Sequence, residues 1–316
     1  EALTKARTAY ESALKERTRE RTPRQWASTQ NSLGNALRRL GELGDDDRPA
    51  GAAELEQPDL LALSDGWLDR IPADQLQALG APPLQGRLDA KARAFLASLP
   101  TQRAAQVLPA GVSPWVMIAR RREPWLGAAR RSWDVLLDPA LQQRIVLPAS
   151  PRWVMNLADQ LDGDDPLPRL RRQLLTLDDR QALNWLLKGE ARLVVLPLQR
   201  CMPLLRRDPR LTAVLPQSGA PLHWTLLVRP AQTREPLPRA WVEQAWSEPM
   251  ASSLLRQGWR PPLSRRELEP AGQSIPSRWR QLVLPDPEIW SRCWSLPPVP
   301  GSERNQLVQR WTQSAP

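Results

Sequence analysis

Short apolar runs recur along the chain, each followed by a stretch with helical periodicity, and this alternation limits the folds open to it. The runs are Leu60–Leu63, Val112–Ala119, Ile145–Leu147, Arg192–Leu196, Leu211–Leu215 and Leu222–Val228. Each has the length of a buried strand and is too short to cross a membrane. Between them, 87–99, 151–161, 199–206, 238–247 and 249–257 read as helices, and 166–188 carries two. A short helix is expected within 131–138, and SDGWLDRIPADQLQAL begins another, capped by Ser64 or Asp65. The tail is rich in Pro and Trp and ends in a helix near 303–313. Strands alternating with helices predict an α/β fold with a largely parallel sheet.

The segment RIVLPASPRWVMNLADQL, residues 144–161, shows the unit in miniature. A strand ends at Pro148, and Ser150 and Pro151 open a helix. A helix N-terminus at a strand end presents free N–H groups, which serve either as plain linkage or as a ligand site.

Composition narrows the function classes. Of 316 residues, 44 are Lys or Arg and 34 Asp or Glu, so the net charge is +10, carried mainly by Arg. The arginines fall in short groups such as Arg120–Arg122, Arg171–Arg172 and Arg206–Arg207, with acidic residues among them. No recognised nucleic-acid motif frames them, and no nucleic-acid partner is expected. His223 is the only histidine, and Cys201 and Cys293 lack metal spacing, which argues against a His/Cys zinc site. The two cysteines are read as separate buried thiols or, in an oxidising compartment, as one disulfide. The chain starts at Glu1 with no secretory apolar segment at its N-terminus.

The first 48 residues differ from the rest. Residues 2–21 and 25–42 read as two antiparallel helices packed through Tyr10, Ala13, Leu33 and Leu37. Ala6, Tyr10 and Ala13, followed by WASTQNSLGNALRRLGEL, resemble part of a tetratricopeptide repeat. Only about one repeat's length is present, and such arrays need about three. A helical hairpin that packs on the main domain or on a protein partner is therefore expected. Residues 44–58, GDDDRPAGAAELEQP, read as a linker.

From residue 58 onward, four stretches keep a familiar order and spacing: PDLLALSDGWLDRI, SWDVLLDPALQQRIVLPASPRWVMNLADQL, WLLKGEARLVVLPLQRCMPLLRRDPRLTAVLP and APLHWTLLVRPAQTREPLPRAWVEQAWSEPMASSLLRQGWRPP. Together they resemble the type 2 periplasmic solute-binding proteins of ABC transporters, in the spermidine/putrescine-binding branch. The resemblance implies two lobes, the first about 58–112 and 229–316 and the second about 113–228, within a domain spanning 49–316. Strands near 114–119 and 223–228 would cross between the lobes. The family's first lobe starts with a strand–helix–strand that is not seen ahead of residue 58, so this lobe is expected to be incomplete or altered.

The resemblance also implies a binding protein without catalysis or cofactor, located in the periplasm or tethered outside the cell, serving an ABC permease and a small solute. Carried over by position, the cleft residues are Ser64, Gly66, Ser150, Trp153, Pro197, His223 and Thr225, with Asp65 one residue from a matching position; the expected ligand-binding set is Ser64, Asp65, Trp67, Ser150, Trp153, Gln199, His223 and Thr225. Polyamine sites pair ammonium groups with carboxylates and pack methylenes on aromatic rings. Here the family's second-lobe acidic positions have become Ser150, Trp153 and Thr225, and Asp65 is the nearby carboxylate. An uncharged or anionic solute is therefore expected to fit better than a polyamine. Trp67, Trp115, Trp153 and Trp224 could line the cleft or, in a chain with 15 Trp but one Phe and one Tyr, supply core bulk. A ferric site on paired tyrosinates is excluded, since Tyr10 is the only tyrosine. The competing reading is an interaction scaffold that uses the hairpin and a degenerate binding domain.

Overall fold

The computed structural model describes residues 59–315, apart from 69, 297, 298 and 300. The expected hairpin and the linker lie outside the described residues.

Among the described residues eight strands form: β1 (Leu61–Ser64), β2 (Leu76–Gln77), β3 (Val107–Arg120), β4 (Ile145–Val146), β5 (Leu174–Thr176), β6 (Leu193–Pro197), β7 (Leu211–Val214) and β8 (Leu222–Pro230). Their order is β1-β8-β3-β6-β4-β5, with β2 also on β8 and β7 also on β3. The sheet is not largely parallel. β1 and β2 run antiparallel to β8, and β3 runs antiparallel to β6, β7 and β8. Only the β4–β5 and β4–β6 pairings are parallel among the described residues. The local unit at 144–161 does form a strand and then a helix, but β3 and β8 return through the middle of the sheet in opposite directions.

These two long strands organise the fold. Residues 107–114 of β3 pair with β8, and residues 115–120 then pair with β6 and β7. β3 thus belongs to two strand groups in succession. Its start lies five residues before the expected Val112. Pro109 and Gly111 sit at a register shift against β8, where a missing N–H donor and a missing side chain are tolerated. The absent side chain at Gly111 also makes room for Trp259, whose ring would stand 2.8 Å from a Cβ there.

The chain after β1 departs from expectation too. Asp65–Trp67 and Ala73–Gln75 form single 3-10 turns and β2 follows, where one longer helix was expected. Pro72 holds extended backbone at φ −56°, ψ 144° and interrupts any helical run. The Pro- and Trp-rich tail contains helices Arg265–Gln273, Ser277–Val283 and Pro287–Arg292, not expected from the sequence, before the expected last one, Gly301–Gln313.

Helices cover both faces of the sheet, so β3, β6 and β8 are buried along nearly their whole length. Trp224 on β8 is fully enclosed, stacks on Phe95 at 5.1 Å and donates its indole N–H to Ser295 Oγ at 2.8 Å. Trp224 is therefore a core residue. A buried Arg260 lies over the Trp290 ring at 4.0 Å and 3.5 Å from Asp89, which ties the C-terminal helices to the strand side of the core. Cys201 and Cys293 are both buried and free. Burial pushes both thiols up, that of Cys293 to about 11.

Candidate functional site

Where β3 passes from one strand group to the other, four chain segments converge. β8 places His223 opposite Ser113 and Thr225 opposite Gly111. On its other edge Thr225 faces Ser64, the last residue of β1. The 3-10 turn after Ser64 then swings Asp65 back, so that its Oδ1 lies 3.8 Å from His223 Nδ1. That separation is an electrostatic contact and too long for a hydrogen bond.

The second-group side comes from the helix Pro151–Ala158. Ser150 caps it: the backbone N–H of Trp153 donates to Ser150 Oγ at 3.4 Å, and Pro151 takes the first helical position. The cap fixes where Trp153 leaves the helix. Its ring meets Trp115 with centroids 4.7 Å apart and planes at 47°. Trp115 in turn meets His223 edge-on at 5.8 Å and 89°. Asp65, His223, Trp115 and Trp153 thus form a continuous row. The Trp153 indole N–H is buried and has no hydrogen-bond partner among the described residues. An orphaned buried donor costs free energy, and a ligand acceptor would relieve it.

Gln199 joins through its backbone, whose N–H donates to the fully buried Ser113 Oγ at 3.0 Å. Pro197 pairs with Trp115 across β6. Trp67 stands apart: it is 45% exposed and lies against the Arg70 guanidinium at 5.2 Å. Gly66 beside it is exposed as well. Of the residues named from sequence, the structure brings Asp65, His223 and Trp153 into the row, sets Ser64, Thr225, Ser150 and Gln199 around it, and leaves Trp67 at the rim. Ser113 was not read from the sequence, and Trp115 was named there only as one of four tryptophans that could line the cleft or supply core bulk. Both lie in a strand so uniformly apolar that only the pairing with His223 distinguishes them.

The electrostatics are unusual for a place that would hold a cation. Burial raises the Asp65 carboxyl to about 7, although the backbone N–H groups of Trp224, Asp65 and Gly66 and the charge of Arg152 oppose the shift. Burial also lowers His223 to about 4, assisted by the positive charge of Arg200, while Asp179 pulls the other way. Arg200 is itself ion-paired with Asp179. Near neutral pH the imidazole is uncharged and the carboxyl is only partly ionised. His223 therefore adds positive charge only at acidic pH. The row is aromatic and close to neutral, with one carboxyl, one free indole donor and a nearby arginine.

No protein-family profile matches this chain, and no curated protein does. Solved structures do match. The spermidine/putrescine substrate-binding protein PotD from Streptococcus pneumoniae superposes with a TM-score of 0.62 at 14% identity, covering 81% of this chain and 84% of that one. A putative spermidine/putrescine ABC transporter protein from Listeria monocytogenes gives 0.58 at 15% identity, over 89% and 87%. An ABC transporter protein from Clostridium perfringens gives 0.55 at 15%, again over 89% and 87%. A eukaryotic thiaminase-I, an enzyme, also matches, at 0.51 and 14% over 82% and 83%. At such identities the likeness establishes the fold, which is that of the type 2 periplasmic solute-binding proteins.

Proposed function

We propose that residues 58–316 bind a small solute between two lobes, as the substrate-binding component of an ABC importer, and carry out no chemistry on it. The lobes are 58–112 with 229–316, and 113–228. The observation that carries this reading is the convergence of β1, β3, β8 and the Ser150-capped helix on one aromatic row at the strand crossing. The fold likeness to transport proteins supports it. The likeness to a thiaminase-I shows that this fold also serves catalysis, but here the one imidazole faces Asp65 and Trp115, and among the described residues no hydroxyl or thiol is hydrogen-bonded to it as a nucleophile would be. Trp115 and Trp153 are 8% and 4% exposed, so a solute reaches them only when the lobes part.

The solute is uncharged or anionic and not a polyamine. A di- or tri-cation needs ionised carboxylates. Among the row's side chains Asp65 is the one carboxyl, and its affinity for a proton is raised. The protein as a whole carries +10. A planar or carboxylate-bearing solute would instead stack on Trp115 and Trp153 and accept from the Trp153 indole N–H. The helix start at Ser150 would favour an anion by about 1 kcal/mol at most, enough to bias selectivity and too little to create affinity. The partner is an ABC permease, with the protein in the periplasm or tethered outside the cell; among the described residues no helix is long and apolar enough to cross a membrane.

Calorimetric titration with spermidine, putrescine and a panel of small carboxylates tests the selectivity. Weak or absent polyamine heats beside saturable binding of an uncharged or acidic solute are expected. Micromolar spermidine binding that disappears with Asp65→Asn would overturn the carboxylate argument.

A further inference from the structure

A concavity lies away from the aromatic row, where three helices meet. Its volume is about 210 Å³, and Arg206, Arg256 and Arg278 line it together with Met202, Ile275 and Trp279. Arg206 lies in the last turn of the helix Leu198–Arg207, Arg256 ends Met250–Arg256, and Arg278 lies in Ser277–Val283. The three arginines come from positions far apart in the chain. Among the described residues none of them has a carboxylate within ion-pair distance or a hydrogen-bond partner. Elsewhere among the described residues arginines are paired: Arg200 with Asp179, Arg210 with Asp208, Arg265 with Glu269.

Like charges around one hollow repel, and folding gains nothing from bringing them together unless something of opposite sign shares the space. Arg206 and Arg256 each favour the C-terminal dipole of their own helix. Two such termini supply about one negative charge in all, against three guanidiniums. Arg278 has no such compensation and is held against the Trp279 ring at 4.5 Å, which limits its orientations. Trp279 is itself buried and forms an apolar floor.

We propose that this hollow is a binding site for a small multivalent oxyanion of the phosphate type. Guanidinium forks match the oxygen geometry of phosphate and carboxylate groups and hold them bidentately. The volume falls below the roughly 300–1,000 Å³ of pockets that take drug-sized ligands, and it suits a compact anion. Bound there, the anion links the helix Leu198–Arg207 to the two C-terminal helices. Those elements already approach closely. At Gly258, just beyond the helix of Arg256, a Cβ would stand 2.8 Å from Met202 Cγ and 2.9 Å from the backbone of Leu198 and Gln199. The anion therefore stabilises a junction between segments that the proposed lobes contribute separately.

The test is titration of the full 316-residue chain with inorganic phosphate at constant ionic strength maintained with chloride, followed by calorimetry and by the thermal midpoint. Saturable binding and a midpoint that climbs with phosphate are expected. Arg206→Gln, Arg256→Gln and Arg278→Gln should each weaken phosphate by about tenfold or more. Their phosphate-free midpoints should stay level or rise, because a repulsion is removed. Arg256→Lys keeps the charge and loses the fork, so it reports on the site even if a glutamine variant does not fold; its phosphate affinity should fall. A parallel arm uses vesicles containing phosphatidylserine. Vesicle binding without phosphate binding would overturn the proposal, as would a response to phosphate no greater than to chloride. Phosphate binding that survives all the arginine variants but is lost with Trp153→Ala would place the anion in the interlobe row and overturn it as well.

Discussion

At the scale of single residues, Asp65 and His223 make opposite demands on pH. The folded-state pKa of Asp65, about 7, lies above its ordinary value of 3.8. The folded chain therefore holds this proton more tightly, and the contribution of Asp65 to stability is lost as pH rises from about 4 to 7. His223 is lowered from 6.5 to about 4, so its contribution grows as pH rises across that window. The two oppose each other between pH 4 and 6.5. Asp65→Asn should leave the histidine alone in control, with stability rising more steeply toward pH 6.5 than in the wild type. His223→Gln should instead give stability that falls from pH 4 to 7. Urea denaturation at half-unit pH steps measures both, and identical pH slopes in all three proteins would show that neither group is perturbed by burial. The carboxyl itself was legible from sequence, as the residue beside Ser64 in a strand–turn motif. Its neutralisation was not, because that depends on how deeply β8 and the following turn bury it.

Secondary-structure elements show where local signals suffice and where packing overrides them. Ser150 and Pro151 announced a helix start, and the structure has that cap, with Trp153 N–H donating to Ser150 Oγ. Ser150→Ala should cost about 1 kcal/mol, and Ser150→Thr much less, by chemical denaturation. Gly258 is a mixed case: directly after the helix expected over 249–257 it reads as a helix stop, but nothing in the sequence marks the close approach of the helix Leu198–Arg207. Its φ of +84° and the 2.8 Å approach of Met202 leave no room for a methyl group. Gly258→Ala should destabilise by about 1–3 kcal/mol, and a stability equal to wild type would mean that the helix Leu198–Arg207 is free to shift. The three helices of the Pro-rich tail were missed because proline reads as a breaker. Here Pro276 precedes a helix and Pro287 opens one, both positions where a missing N–H costs nothing. A readable signal did exist in Ser264 and Glu267, which form a capping box. β2 and β5, at two and three residues, are too short for any periodicity to show.

For the molecule as a whole, strand–helix alternation gave the right class and the wrong sheet. Local pattern predicts parallel neighbours only if each strand pairs with the next one along the chain. β3 and β8 break that condition, since β3 carries pairings to β6, β7 and β8 and runs antiparallel to all three. The ordered resemblance of four long stretches led to the expectation of strands crossing between lobes, which periodicity alone does not supply; the structure shows β3 passing from β8 to β6 and β7. That crossing creates the central claim, a solute site at the row of Asp65, His223, Trp115 and Trp153. The most direct measurement is native mass spectrometry of the chain after incubation with a small-metabolite extract, run beside Trp153→Ala and Asp65→Asn. The account predicts one retained small molecule, uncharged or acidic, on the wild type, with at least tenfold lower occupancy on Trp153→Ala. A solute retained equally by both variants, or no retained solute on a wild-type chain that is folded, would contradict it.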